Sequence, residues 1–197
     1  MTTEIDYTDH TALVVVDVQN DFADPNGSLY VKGGEDVVSA VNREVERAQA
    51  AGAPVFYTQD WHPESTPHFE KDGGIWPVHC VKETWGAELH PDLQVAGEVV
   101  RKGSGGEDGY SGFTVRDPES GRTDATVLES LLRERGVHRL IVTGLATDYC
   151  VKETVLDARE KGFDVLVLKV AVRAVDLQPG DGLRAFDAMR EAGARIV

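Results

Sequence analysis

Of the two cysteines in this chain, Cys150 stands where a sulfur can become a nucleophile. It closes the segment Gly144-Leu145-Ala146-Thr147-Asp148-Tyr149-Cys150, between the apolar run Arg139-Leu140-Ile141-Val142-Thr143 and an amphipathic stretch starting at Val151. The spacing predicts that Cys150 opens a helix just after a buried strand. Exposed N–H groups and the positive end of the helix dipole favour a thiolate there and lower a cysteine pKa. The competing reading is a small buried apolar residue in a first helical turn. What decides between them is company. Asp17 ends the run Val14-Val15-Val16, and Lys102 ends Val99-Val100-Arg101. An Asp beside a Cys takes the thiol proton, and an ammonium holds both negative charges in one poorly solvated pocket.

A second cluster lies in the long segment after the Pro54–Thr58 run. Asp60-Trp61-His62, then His68, then Trp76-Pro77-Val78-His79-Cys80 concentrate metal-ligand types in a chain of only six histidines. One ion held by Asp60, His62, His68 and His79 suits a divalent transition metal, with zinc the first choice and iron or manganese compatible. Glu64 and Ser65 are alternatives to His68. The opposing view is a polar loop whose histidines cap turns near Pro63, Pro67 and Pro77. Cys80 reads as a buried structural thiol, and His10, His90 and His138 as solvated.

Elements that position these residues follow from the apolar pattern. Strand-length runs recur at Ala12–Val18, Pro54–Thr58, Glu98–Lys102, Arg139–Gly144, Asp164–Val170 and Ala194–Val197, alternating with helical patterns near Glu35–Ala51, Thr126–Arg135, Val151–Lys161 and Gly182–Ala192. Leu13-Val14-Val15-Val16 and Val165-Leu166-Val167-Leu168 are apolar without alternation, as parallel strands covered on both faces require. Val151, Val155 and Ala158 fall on one helix face. The expectation is an α/β fold: a three-layer α/β/α sandwich with a mainly parallel, doubly wound six-stranded sheet, forming one domain over 1–197. Gln59–Ala96 and Gly103–Asp124 are long, irregular connections at strand C-terminal ends, the edge where such sheets bind ligands.

Composition limits the partners. A formal net charge of −14 without a Lys/Arg cluster argues against nucleic acid and anionic membrane surfaces. The opening Met1-Thr2-Thr3-Glu4-Ile5-Asp6 is acidic and precedes no early apolar region, so a cytoplasmic protein of reduced thiols is expected, with a small molecule as its partner. Association into homo-oligomers is left open. Other motifs fail: in Gly103-Ser104-Gly105-Gly106-Glu107-Asp108-Gly109 the third glycine of a dinucleotide loop falls on Asp108, and no G-x-S-x-G occurs.

Taken together, Asp17-Val18-Gln19-Asn20-Asp21-Phe22, Asp60-Trp61-His62 with His68, Trp76-Pro77-Val78-His79-Cys80, Lys102-Gly103 with Tyr110-Ser111-Gly112-Phe113, and the segment ending at Cys150 resemble, in order and along essentially the whole chain, the nicotinamidases of the isochorismatase-like cysteine hydrolase superfamily. The resemblance implies a catalytic triad of Asp17, Lys102 and Cys150. Asp60, His62, His68 and His79 would hold the metal. It further implies a pocket lined by Phe22, Trp76, Tyr110, Leu145 and Ala146, a cis Leu145–Ala146 peptide, and an oxyanion hole of the Ala146 and Cys150 N–H groups. The reaction implied is hydrolysis of nicotinamide to nicotinate and ammonia through a thioester. Other small-amide hydrolases of the superfamily, acting on carbamoyl amides or isochorismate, are the nearest alternative, and a non-catalytic metal- or ligand-binding domain is the alternative of a different class.

Overall fold

In the computed structural model, residues 5–197 are described, and Met1–Glu4 of the acidic opening lie outside them. Eight strands form: β1 (Thr11–Val16), β2 (Val55–Asp60), β3 (Glu98–Lys102), β4 (Thr114–Arg116), β5 (Thr123–Ala125), β6 (Arg139–Leu145), β7 (Asp164–Arg173) and β8 (Arg195–Ile196). Five α-helices accompany them among the described residues: α1 (Asn20–Ala23), α2 (Gly34–Ala50), α3 (Leu128–Glu134), α4 (Lys152–Glu160) and α5 (Asp181–Glu191). Six strands make one sheet in the order β3-β2-β1-β6-β7-β8. All its pairings are parallel.

Every side chain of β1 and β2 is buried, which accounts for the unbroken apolar runs Ala12–Val16 and Val55–Tyr57 within them. Alternate residues feed opposite cores. Leu13 and Val15 pack with Val37, Val41, Val45 and Ala48 of α2 on one face. Ala12, Val14 and Val16 pack on the other with Leu128 and Leu132 of α3, Val155 and Ala158 of α4, and Phe186 and Met189 of α5. This is the expected three-layer arrangement.

Strand order reverses between β1 and β6, since the chain winds outward from β1 through β2 to β3 and then returns to β6 on β1's other side. At such a switch point the loops leaving the two central strands part company and open a crevice at the C-terminal edge. Gly144 lets β6 approach closely there: its φ is 107°, and a Cβ would collide with the Val16 carbonyl.

Differences from the sequence reading are local. The segment Gly103–Asp124, expected to be irregular, contains the antiparallel β4–β5 pair, with Thr114 opposite Ala125. Cys150 does not open the α-helix directly. Thr147–Val151 form a wide π-type turn, and α4 begins after it at Lys152. Among the described residues no helix is long and apolar enough to cross a membrane.

Candidate active site

Four neighbouring strands bring one ionisable residue each to the crevice. Lys102 is the last residue of β3 and Asp60 the last of β2, and the two are register partners. Asp17 follows β1, and Cys150 lies just beyond β6, which pairs with β1 through Val16 and Gly144. At Asp17 the backbone turns into the left-handed region with φ 47°, ending the strand. The Leu145–Ala146 peptide is cis, as the family resemblance implies.

The fully buried Lys102 ammonium is the centre of the group. It lies 2.8 Å from Asp17 Oδ2 and 3.8 Å from Cys150 Sγ, and it donates as well to Asp60 Oδ1 and the Gly109 carbonyl. Asp17, Asp60 and Cys150 each place an atom within 4.8 Å of the others. The Lys102 ammonium already lies among these three groups, so this cluster holds the protein's own cation. Burial alone would favour neutral lysine, but Asp17 and Asp60 more than offset it and hold Lys102 charged. Burial pushes Asp17 up to about 6 in spite of the adjacent ammonium. For Asp60 the opposite holds: burial is outweighed by Lys102 and His62, so its carboxyl stays well below the usual range.

One expectation is reversed. Burial raises the Cys150 thiol well above its ordinary value, with Lys102 only partly compensating. The dipole argument counted only the charge of a helix end, whereas the sulfur is desolvated, 7 % exposed inside a π-type turn. It rests as a thiol with a carboxylate base at hand.

Beside this group lies a second one. His62, His68 and His79 each offer a nitrogen within 4.8 Å of the others, all three buried. Asp60 joins the groups: one oxygen faces Lys102, and the other lies 3.7 Å from His62 Nε2. Glu64 and Ser65, the alternatives to His68, are exposed. Whether these residues fit a metal is tested by His62, whose ring nitrogens are both buried without a hydrogen-bond partner. A buried polar group left so costs about 1–3 kcal/mol, a penalty that coordination removes. Burial also lowers His79 to about 4, which keeps it in the neutral form that ligation needs. Three imidazoles and a carboxylate suit zinc, iron or manganese.

The pocket above both groups is walled by Phe22, Trp76, Tyr110, Tyr149 and Ala146, with Cys150, His68 and His79 at its base. Trp76 Nε1 donates to the Tyr110 hydroxyl at 2.7 Å, and the Trp76 ring meets Tyr149 edge-on at 4.8 Å between centroids. Leu145 does not line the pocket as expected. As the last residue of β6 its side chain alternates away from the crevice into the α2 core.

Several supporting residues escaped the sequence reading. Thr58 Oγ1 donates to Asp17 Oδ1 at 2.6 Å, fixing the oxygen that Lys102 does not hold. Gln19 clamps the end of β2: its amide donates to the Asp60 carbonyl and its oxygen accepts the Asp60 N–H, both at 2.8 Å. Asp21 accepts N–H bonds from Ser28 and Cys80 at 2.9 and 2.7 Å, tying together the segments that carry Phe22 and His79. Fully buried Cys80 is packed there as the expected structural thiol. Buried polar residues inside Asp17-Val18-Gln19-Asn20-Asp21 were the available signal. Tyr149 gave a signal too, being next to Cys150, whereas Leu29, Val31 and Val175 reach the pocket only through loop conformation.

Known proteins resemble this chain along nearly its whole length. The model of the isochorismatase domain matches residues 11–197. The chain is 39 % identical to a nicotinamidase of Escherichia coli strain K12 over 203 residues, covering 94 % of this chain and 93 % of that one. It also resembles the crystal structure of a pyrazinamidase of Pyrococcus horikoshii in complex with zinc, with TM-score 0.84 and 39 % identity over 95 % of this chain and 98 % of the other. The structure of PnC1 from L. infantum in complex with nicotinate superposes with TM-score 0.87 at 34 % identity, covering 98 % and 95 % of the two chains. Because the matched domain runs through every strand and loop that carries the site, the chain belongs to the isochorismatase family.

Proposed function

We propose that this protein is a nicotinamidase: a cysteine amidohydrolase that converts nicotinamide to nicotinate and ammonia. The observation that carries the reading is a buried thiol, 3.8 Å from a buried ammonium, at the base of a pocket walled by aromatic rings. A flat carboxamide fits such a slot, and the similarity to proteins named nicotinamidase and to a nicotinate complex supports the same choice.

In this mechanism Asp17 takes the Cys150 proton as the sulfur attacks the carboxamide carbon, and Lys102 balances the charge passing between them. The N–H groups of Ala146 and Cys150, two residues that line the pocket, are assigned to hold the oxyanion. Collapse breaks the C–N bond, and the proton on Asp17 goes to the departing nitrogen, which leaves as ammonia. Water then attacks the thioester while giving a proton to Asp17. Breaking the C–S bond returns the proton to sulfur and releases the acid, which gives its remaining proton to solvent as nicotinate. Phe22, Trp76 and Tyr110 keep the ring in register with the sulfur, and the closed aromatic wall limits competing water. Asp60, His62, His68 and His79 would hold a divalent transition metal, zinc by first choice, which when bound supplies a Lewis acid for a ring nitrogen or a water.

Coupled detection of ammonia tests the activity: nicotinamide should yield one ammonia per nicotinate. No ammonia from nicotinamide, with rapid turnover of isochorismate or a carbamoyl amide, would move the protein to another branch of the family. Metal content is a separate test. Purified protein should carry about one equivalent of transition metal per chain, and His62→Ala or His79→Ala should lower content and substrate affinity together while Cys150 still reacts with a thiol reagent. Full occupancy in both variants would leave the histidines as scaffolding.

A further inference from the structure

The glycine-rich loop Gly103–Gly109, too irregular for a dinucleotide fingerprint, contributes only the Gly109 carbonyl to the chemistry above. It is nevertheless strapped across the histidine cluster. Thr66 Oγ1 donates to the Gly106 carbonyl at 2.6 Å. Gly103 has φ 73°, and a Cβ there would lie 2.6 Å from His62 Cε1, so the loop backbone rests against that ring. Further along, Asp108 pairs with Arg116 as an antiparallel bridge, its N–H donating at 2.7 Å and its carbonyl accepting at 2.9 Å. The backbone of Asp108 is therefore fixed on both sides. Its carboxylate reaches back to His68 Nδ1 at 2.6 Å.

An ionised carboxylate only accepts, so Nδ1 of His68 carries the hydrogen and Nε2 keeps its lone pair. His79 follows the same rule, with Nδ1 donating to the Pro77 carbonyl at 2.7 Å. The acceptors differ in kind: His79 leans on a neutral carbonyl of its own loop, His68 on a charged group from a distant one.

We propose that Asp108 is a positioning residue of the metal centre, holding His68 in the Nδ1–H tautomer with its ring oriented and Nε2 free to ligate. Carboxylate–histidine pairs of this kind orient and strengthen metal ligands. The proposal rests on the reading of His68 as a ligand, and it makes the glycine-rich loop a part of the metal site.

Competition of apo-protein with a chromophoric chelator for zinc, at one pH, gives the dissociation constant of each variant. Asp108→Ala should weaken zinc binding about 10–100-fold. Asp108→Asn should weaken it less, because the amide oxygen still accepts the Nδ1–H without the charge. The double variant His68→Ala/Asp108→Ala should bind no more weakly than His68→Ala alone, as expected of a residue that acts through His68. Cobalt-loaded Asp108→Ala should show an altered ligand-field spectrum, which a change confined to the outer loop would not produce. If His68→Ala binds zinc as wild type does, the ligand assignment fails and takes this inference with it. If His68→Ala is weakened but both Asp108 variants are not, or if the two effects add in full, the inference alone is overturned.

Discussion

Replacing Cys150 by alanine is expected to abolish ammonia release from nicotinamide, by a factor on the order of 10⁴ or more, since the nucleophile and its base act as a unit. The fold should survive, because one sulfur atom is lost from a site already packed by Val151 and Val155 of the same core. Unchanged circular dichroism together with lost turnover is the predicted pair of results. In the wild-type protein an alkylating reagent should label Cys150, with nicotinate protecting. Cys80 should stay unlabelled, because it is fully buried and is not among the residues that line the pocket, whereas Cys150 is. Substantial activity in Cys150→Ala, or alkylation of Cys80 in its place, would show that the nucleophile is misassigned.

Lys102→Met should be nearly as damaging, by a different route. The ammonium is the common neighbour of Asp17, Asp60 and Cys150. Methionine fills much the same volume but leaves two buried carboxylates and a sulfur that must become negative without a counter-charge. Breaking a buried pair by removing one partner costs about 3–5 kcal/mol of stability. Turnover should fall roughly 10²–10³-fold or further, the usual effect of losing one preorganised charge stabiliser. A lowered denaturation midpoint measures the first effect. Slower alkylation of Cys150 in the folded variant measures the second independently of substrate. Lys102→Arg should not rescue, since a planar guanidinium does not fit where a compact ammonium meets four acceptors. Near wild-type stability and alkylation in Lys102→Met would remove lysine from the centre of the site.

How much of this was readable in the residue order depended on range. β1 and β2 are buried on both faces, so their apolar runs announced themselves; Asp17 stood out at the end of the first, and Asp60 by its place in Asp60-Trp61-His62. Lys102 was marked by the shorter run Val99-Val100, although β3 at the sheet edge is largely exposed, and the histidines were legible by type and crowding. The hairpin of β4 and β5 was not, because its three-residue strands are mostly exposed and carry no apolar alternation. Leu145 was placed in the pocket by the family resemblance, but as the end of β6 its side chain is buried in the α2 core, and only Ala146 beyond it reaches the pocket. The raised thiol of Cys150 depended on burial by segments far away in sequence, which a local dipole argument does not register. Asp108 is the clearest instance: its partner His68 is 40 residues distant, and nothing within the Gly103–Gly109 segment marks it.

The alignment of Lys102, Asp60, Asp17 and Cys150 on four successive strands has a consequence for how tolerant the site is to change. Neighbouring strands in a sheet are about 4.8 Å apart, a repeat set by backbone hydrogen bonds and indifferent to side chains. The sheet therefore acts as a ruler, and the spacing of the reacting groups is a count of strands. Loops between them can lengthen, shorten or change composition without altering that count. A slip of one residue in register, however, turns a side chain from one face of the sheet to the other. Pairings such as Asp60 with Lys102 and Val16 with Gly144 thus guard the chemistry more strictly than the length of any loop above them.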